Sequence, residues 1–228
     1  LHDTTAESGQ LSQVDPSYPA KLQFLRDVCQ RLCADALIDI VPAYRTLLLV
    51  FAPYHPRWPA IIDELELHCQ AWQQELTRID AVQGRLIELP VWYGDFAESD
   101  LIAVAQQHQL TPQQVIDLHC QQLYSVYAIG FLPGFAYLGF IDAQIATPRH
   151  SAPRPLVPAG AVGIADQQTA VYPMASPGGW QLLGLCPTPL YHTASTAWCS
   201  VGDRVQFQPI DKALYQKLQQ RQQAQVTV

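Results

Sequence analysis

Apolar residues recur at two different spacings along this chain, and the change from one to the other divides it. After Asp15-Pro16, Leu22, Leu25, Cys29 and Leu32 come three and four apart, the spacing of one helix face. The run "ALIDIVPAYRTLLLVFA" then predicts two short strands interrupted by Pro42. A second helix is predicted from about Trp58, with Ile61, Leu65, Cys69, Trp72 and Leu76 on one side, and "RLIELPVWY" returns to strand. These elements form a small α/β domain over residues 1–88. Two helical segments follow. "SDLIAVAQQHQ" has Ser99 as its expected cap. "TPQQVIDLHCQQ" carries a capping box, with Thr111 as N-cap, Pro112 at the first helical position and Gln114 three residues on.

From Leu123 the apolar runs shorten to "LYSVYAIGF", "AVGIA", "TAVYP", "WQLLGLC" and "DRVQF", separated by glycine and proline. Many short strands with turn signals between them predict a β-barrel or sandwich. The second domain therefore covers residues 89–210, and a polar, glutamine-rich helix or tail occupies 211–228. The fold class is α+β. No internal repeat is visible.

Composition removes several function classes. The 228 residues carry a formal net charge of -7, with no basic stripe of the kind a nucleic-acid binder uses to displace counterions. No apolar run reaches the length of a membrane span. The start "LHDTTAESGQ" has neither a basic n-region nor an apolar h-region, and it has no methionine, which leaves a trimmed start open. Of the six cysteines, Cys29 and Cys33 share a helix face and read as small buried thiols. His68–Cys69 and His119–Cys120 are adjacent pairs, which chelate poorly. No zinc spacing is present and no metal is expected. A reducing, cytoplasmic setting is the expectation.

Candidate chemistry concentrates in the second domain. Between Leu123 and Ser200 the charged residues are Asp142, Arg149, Arg154 and Asp166 alone. Arg149 and Arg154 flank "HSAP", in a segment stiffened by prolines 148, 153, 155 and 158. Two guanidiniums with His150 suit a carboxylate or phosphate, because arginine meets such oxygens bidentately; the plain alternative is a solvated basic loop. "GFLPGFAYLGF" sets Gly130, Gly134 and Gly139 among Phe131, Phe135, Tyr137 and Phe140. These aromatics are either walls for a flat ligand or core. "SPGGWQ" is a turn whose N–H groups would suit an anion nest. There is no G-x-S-x-G elbow, no Walker lysine and no G-x-G-x-x-G. Nothing in the sequence brings Asp142 and Asp166 together as an acid/base pair.

Taken in order, "GFLPGFAYLG" at 130–139, "TPR" at 147–149, "PR" at 153–154, "VPAGAVGIA" at 157–165, "QTAVYP" at 168–173 and "PGGWQLLG" at 177–184 resemble the family of the 5-oxoprolinase B subunit and KipI, also called allophanate hydrolase subunit 1. "IVPAYRTLLLV" in the first half is similar to the same family, so the resemblance spans nearly the whole chain. It implies an N-terminal α/β domain followed by a cyclophilin-like β-barrel. It also implies a non-autonomous component of an ATP-dependent hydrolase that opens 5-oxoproline to glutamate with two partners, a KipA-like C subunit and an A subunit. Other branches of the family imply an inhibitor of a sporulation histidine kinase, or a carboxyltransferase for urea as in urea amidolyase. ATP would be shared with the partner chains.

On this chain the resemblance implies Arg149 and Arg154 as anion clamps, with Gln168 and Tyr172 as polar groups on facing strands; these four are the catalytic candidates. Phe131, Pro133, Gly134, Phe135, Tyr137, His150, Pro158, Gly160, Gly178, Gly179 and Trp180 would bind substrate. Fold similarity to cyclophilin does not imply prolyl isomerase activity. The chain departs from the family pattern at Asp166 and Ala170, where glycine is usual, at Phe140, which replaces a frequent glycine, and at Leu185, which stands for arginine.

Overall fold

A computed structural model describes residues 17–79, 84–191 and 198–226. The chain divides into two compact units, Leu1–Gly84 and Arg85–Val228.

The first unit contains α1 (Tyr18–Cys33), β1 (Leu37–Ala43), β2 (Thr46–Phe51) and α2 (Trp58–Leu76). Pro19 and Pro59 sit in the first turns of the two helices, where their missing N–H costs nothing. The strands form an antiparallel hairpin. Pro42 does not interrupt β1, as the sequence reading expected. It pairs with Leu47 inside the hairpin, and the break comes two residues later at Tyr44, whose φ is 50°. Cys33, Ala36 and Ile61 are buried together, with Leu32, Leu37, Phe51 and Leu65 packed around them. The Phe51 and Trp58 rings approach to 4.7 Å between centroids. Cys29 and Cys33 are both buried, and burial first, then the Glu64 charge, pushes the Cys33 thiol up. Of the expected α2 face, Ile61 and Trp72 are buried; the side chain of Cys69 lies outside the described residues.

The second unit begins with β3 (Leu86–Val91), α3 (Leu101–Gln107), α4 (Pro112–Cys120), β4 (Tyr124–Ile129) and β5 (Ala136–Gly139). It continues with β6 (Arg154–Val157), β7 (Ala161–Ala165), β8 (Gln168–Val171), β9 (Ser176–Gly178), β10 (Gln181–Leu185), β11 (Arg204–Pro209) and α5 (Lys212–Val226). Its main sheet runs β3-β11-β4-β5-β8-β7-β10, parallel between β3 and β11 and antiparallel elsewhere. β6 and β9 form a separate two-stranded ribbon. The chain is thus mixed α/β with a mainly antiparallel sheet. The expected cyclophilin-like barrel is not closed by strand pairing among the described residues. Its outer strands β3 and β10 are joined by one isolated bridge just past β3, where Trp92 and Leu185 exchange both backbone hydrogen bonds at 2.9 Å.

Side-chain alternation gives this sheet two different faces. Val162 and Ile164 of β7, Ala136 and Leu138 of β5, Val171 of β8 and Leu183 of β10 enter one core with Val104 and Val115 of α3 and α4. Their immediate neighbours Ala161, Ala165, Phe135, Ala170 and Leu182 turn the other way, against Tyr172 and Trp180. α4 forms as expected: Thr111 Oγ1 accepts the Gln114 N–H at 3.2 Å, and Gln114 Oε1 accepts the Thr111 N–H at 2.8 Å. α3 is different. Its N-cap position is Asp100, not Ser99, and that carboxylate is directed away from the helix.

Candidate functional site

The second face of the sheet is aromatic and gathers most of the candidate residues. Phe135 on the approach to β5 is buried and edge-on to three rings: Tyr137 at 4.9 Å, Tyr172 at 5.3 Å and Trp180 at 5.7 Å. Phe131 stands edge-on to it at 5.4 Å on the outer side and is 63% exposed. Small residues make this stack possible, because Ala161, Ala165 and Ala170 form a low floor on the same face. Burial raises the phenol pKa of both Tyr137 and Tyr172; the Arg149 charge opposes the rise in each, and in Tyr172 a bond to the Trp180 backbone opposes it more strongly. Both phenols are therefore protonated donors at neutral pH.

Glycine is needed at two points of this wall. Gly134 has φ of 83°, a left-handed conformation that side chains avoid, and a Cβ there would run into the Leu190 carbonyl. Gly178 lies directly against the Tyr172 phenol, so a Cβ would collide with its oxygen and come within 2.9 Å of two ring carbons.

The arginine loop borders the aromatic face. The Arg149 guanidinium carbon lies 5.7 Å from the centre of the Trp180 ring, a cation–π arrangement. Arg154, the first residue of β6, donates to the Trp180 carbonyl at 3.1 Å and to the Asp100 carboxylate. Asp100 is 8% exposed. It accepts the Leu182 N–H at 2.6 Å on its other oxygen, while its own N–H donates to the Leu182 carbonyl at 2.7 Å. His150 Nε2 is 3.4 Å from Asp100 Oδ2, and the His150 N–H donates to the Gly179 carbonyl at 2.7 Å. The loop is further tied down by Gln181, whose amide donates to the Pro148 carbonyl at 2.9 Å.

Most sequence candidates meet here: Arg149, His150, Arg154, Phe131, Phe135, Tyr137, Tyr172, Gly178, Gly179 and Trp180. Gln168 and Tyr172 do not lie on facing strands, as the family resemblance had implied. Both belong to β8 and its immediate continuation, four residues apart, and Gln168 is buried at the Gly139 and Ala165 registers. Gly160 borders a different, open cavity of about 500 Å³ with Tyr172, Pro173, Cys186, Pro187 and Gln219, and none of the arginine-loop residues lines it. Pro133 is exposed and Pro158 half-buried. Asp142 caps a short 3₁₀ turn by accepting the Gln144 N–H at 2.8 Å. Asp166 occupies the β7–β8 turn with φ of 52°, which accounts for glycine being usual there. Leu185 makes the bridge to Trp92 and packs on the aromatic cluster.

Asp100 is the residue that sequence reasoning missed. Its signal, a Ser-Asp pair ahead of an apolar helix, is shared by every ordinary helix start. No group of three or more His, Cys, Asp or Glu side chains suited to a metal occurs among the described residues, and none of their helices is long and apolar enough to cross a membrane.

Residues 5–201 match the family model for the carboxyltransferase domain, subdomain C and D. This chain belongs to that family. It is 41% identical over 207 residues to the B subunit of 5-oxoprolinase from Haemophilus influenzae, covering 89% of this chain and 94% of the relative. With the protein of that name from Escherichia coli O157:H7 the identity is 43% over 175 residues, 76% of this chain and 78% of the relative. Among solved structures, TTHA0988 superposes with a TM-score of 0.71 at 33% identity over 90% of this family member, which spans 39% of that longer chain. The urea carboxylase of Kluyveromyces lactis shares the fold at 17% identity with a TM-score of 0.69, covering 92% of this chain and 21% of its own.

Proposed function

We propose that this chain is the B subunit of an ATP-dependent 5-oxoprolinase, a cytoplasmic complex that opens the lactam of 5-oxoproline to glutamate together with a KipA-like C subunit and an A subunit. The observation that carries the reading is the 41% identity to a relative of that name over 94% of the relative's length. The site supports it. An exposed guanidinium over an indole, with the half-buried Tyr137 phenol beside it, suits a small anionic ring. None of the candidate residues that meet there is a serine or a cysteine. This chain's contribution is then positioning and charge stabilisation, with the remaining chemistry on the partner chains and with ATP shared among them.

The test is co-expression with the C-like and A-like proteins, followed by ATP turnover with and without 5-oxoproline. Turnover that requires all three chains and 5-oxoproline supports the reading. A stable complex whose ATP turnover ignores 5-oxoproline overturns it in favour of another amide substrate.

A further inference from the structure

The two arginines of the loop have different surroundings. Arg154 is an internal partner: its guanidinium is shared between Asp100 and the Trp180 carbonyl, and its side chain is only 21% exposed. Its charge is cancelled by a carboxylate within the same site. Arg149 is exposed and lies over the Trp180 ring. Among the described residues no aspartate or glutamate is paired with it. It is also near enough to the Tyr137 and Tyr172 phenols for its charge to act on both. The Pro-Gly-Gly turn, a candidate anion nest by sequence, is instead used as β9: Gly178 pairs with Arg154, and the Gly179 carbonyl accepts from His150.

Resting on the 5-oxoprolinase reading, we propose that the margin of this face takes one carboxylate on a small ring through the exposed Arg149, with the ring beside the half-buried Tyr137 where the guanidinium covers the buried Trp180, and that the nucleotide's polyphosphate is held elsewhere in the complex. A polyphosphate carries several negative charges, and protein sites meet them with clustered cations, metal ions or rows of backbone N–H groups. Here one uncompensated guanidinium stands beside the Asp100 carboxylate, which repels further negative charge. A single carboxylate matches a single arginine in charge and in its two-pronged geometry. Asp100 acts as a positioning residue in this scheme: it fixes Arg154 and so the Trp180 backbone on which Arg149 rests.

The decisive experiment compares Arg149→Gln and Arg149→Lys in the reconstituted complex, reading KM for 5-oxoproline and for ATP separately. Loss of a charge-assisted bidentate contact is expected to raise KM for 5-oxoproline roughly tenfold to a hundredfold in Arg149→Gln, with partial recovery in Arg149→Lys. KM for ATP stays unchanged. A rise in KM for ATP instead, or no change in either, overturns the inference. Calorimetry on the full chain supplies a second arm with 5-oxoproline, pyrrole-2-carboxylate and inorganic tripolyphosphate as probes. Displacement of the carboxylates by tripolyphosphate, or no carboxylate binding at all, overturns the proposal even if the complex is active. Binding of pyrrole-2-carboxylate that depends on Arg149, in a complex that does not turn over 5-oxoproline, upholds the single-carboxylate site and removes only the proposed substrate.

Discussion

Asp100 and Leu182 are joined by a reciprocal pair of hydrogen bonds through the aspartate's backbone and side chain, and the carboxylate that completes the pair also holds Arg154. One residue at the start of α3 therefore fastens β10 and β6 to the same point. Replacing it by alanine leaves a guanidinium and an N–H without their acceptor. Asp100→Ala is expected to lose about 3 kcal/mol of stability in urea unfolding, since removing one side of a largely buried ion pair strands the other. Asp100→Asn keeps an acceptor and loses clearly less. Equal, small losses in both would remove the pair from the set of stabilising contacts.

A second prediction concerns His119, which is buried, stacks on Phe207 at 4.7 Å, and has a pKa lowered to about 3 by burial. Thr169 Oγ1 donates to the Gly163 carbonyl at 3.0 Å, so it accepts from His119 Nε2–H at 2.8 Å; His119 Nδ1 then accepts the Tyr93 hydroxyl at 2.7 Å. The ring is neutral when folded and takes up a proton near pH 6.5 when unfolded. The unfolded state binds the extra proton below that pH, so stability is full above about pH 6.5 and falls toward pH 3 at up to ~1.4 kcal/mol per pH unit. Urea midpoints of wild type and His119→Gln across this range are expected to converge on acidification. Parallel curves would contradict the neutral assignment.

Gly178 and Tyr172 make a third test. Gly178→Ala is expected to destabilise by about 1–3 kcal/mol, the range for overpacking a filled site. Combining it with Tyr172→Phe, which removes the phenol oxygen but leaves the ring carbons, recovers part of that loss. A double-mutant cycle with no coupling would show that the two residues do not meet.

The β7–β8 turn gives a fourth. With φ of 52° at Asp166, Asp166→Gly is expected to hold or raise the melting temperature. Asp166→Val lowers stability by about 1–2 kcal/mol, because a branched side chain resists that conformation. An unaffected valine variant would contradict the turn geometry.

Short-range grammar made much of this molecule readable. The Thr111–Gln114 box and the helix faces through Cys29 and Ile61 depend on residues a few positions apart, and both appear as expected. The aromatic cluster was readable as a set of residues, but not as core rather than ligand wall: Phe135, Tyr172 and Trp180 are buried together, which depends on the face alternation turns them toward. Asp100 was not readable: its partner Arg154 is 54 positions away and its role exists only after the sheet forms. The placement of Gln168 and Tyr172 on one strand likewise depended on where the β8 boundary fell, which glycine and proline spacing alone does not define.

The strand Ala161–Ala165 has a wider consequence. Its bulky residues face one core and its alanines face the aromatic stack, so it acts as a partition whose two sides have opposite volume requirements. A slip of one position against β8 would press valine and isoleucine into the ring stack and hollow out the opposite core in the same movement. Correct pairing here is thus enforced twice, and the arginine loop that rests on Trp180 inherits its placement from the packing behind it.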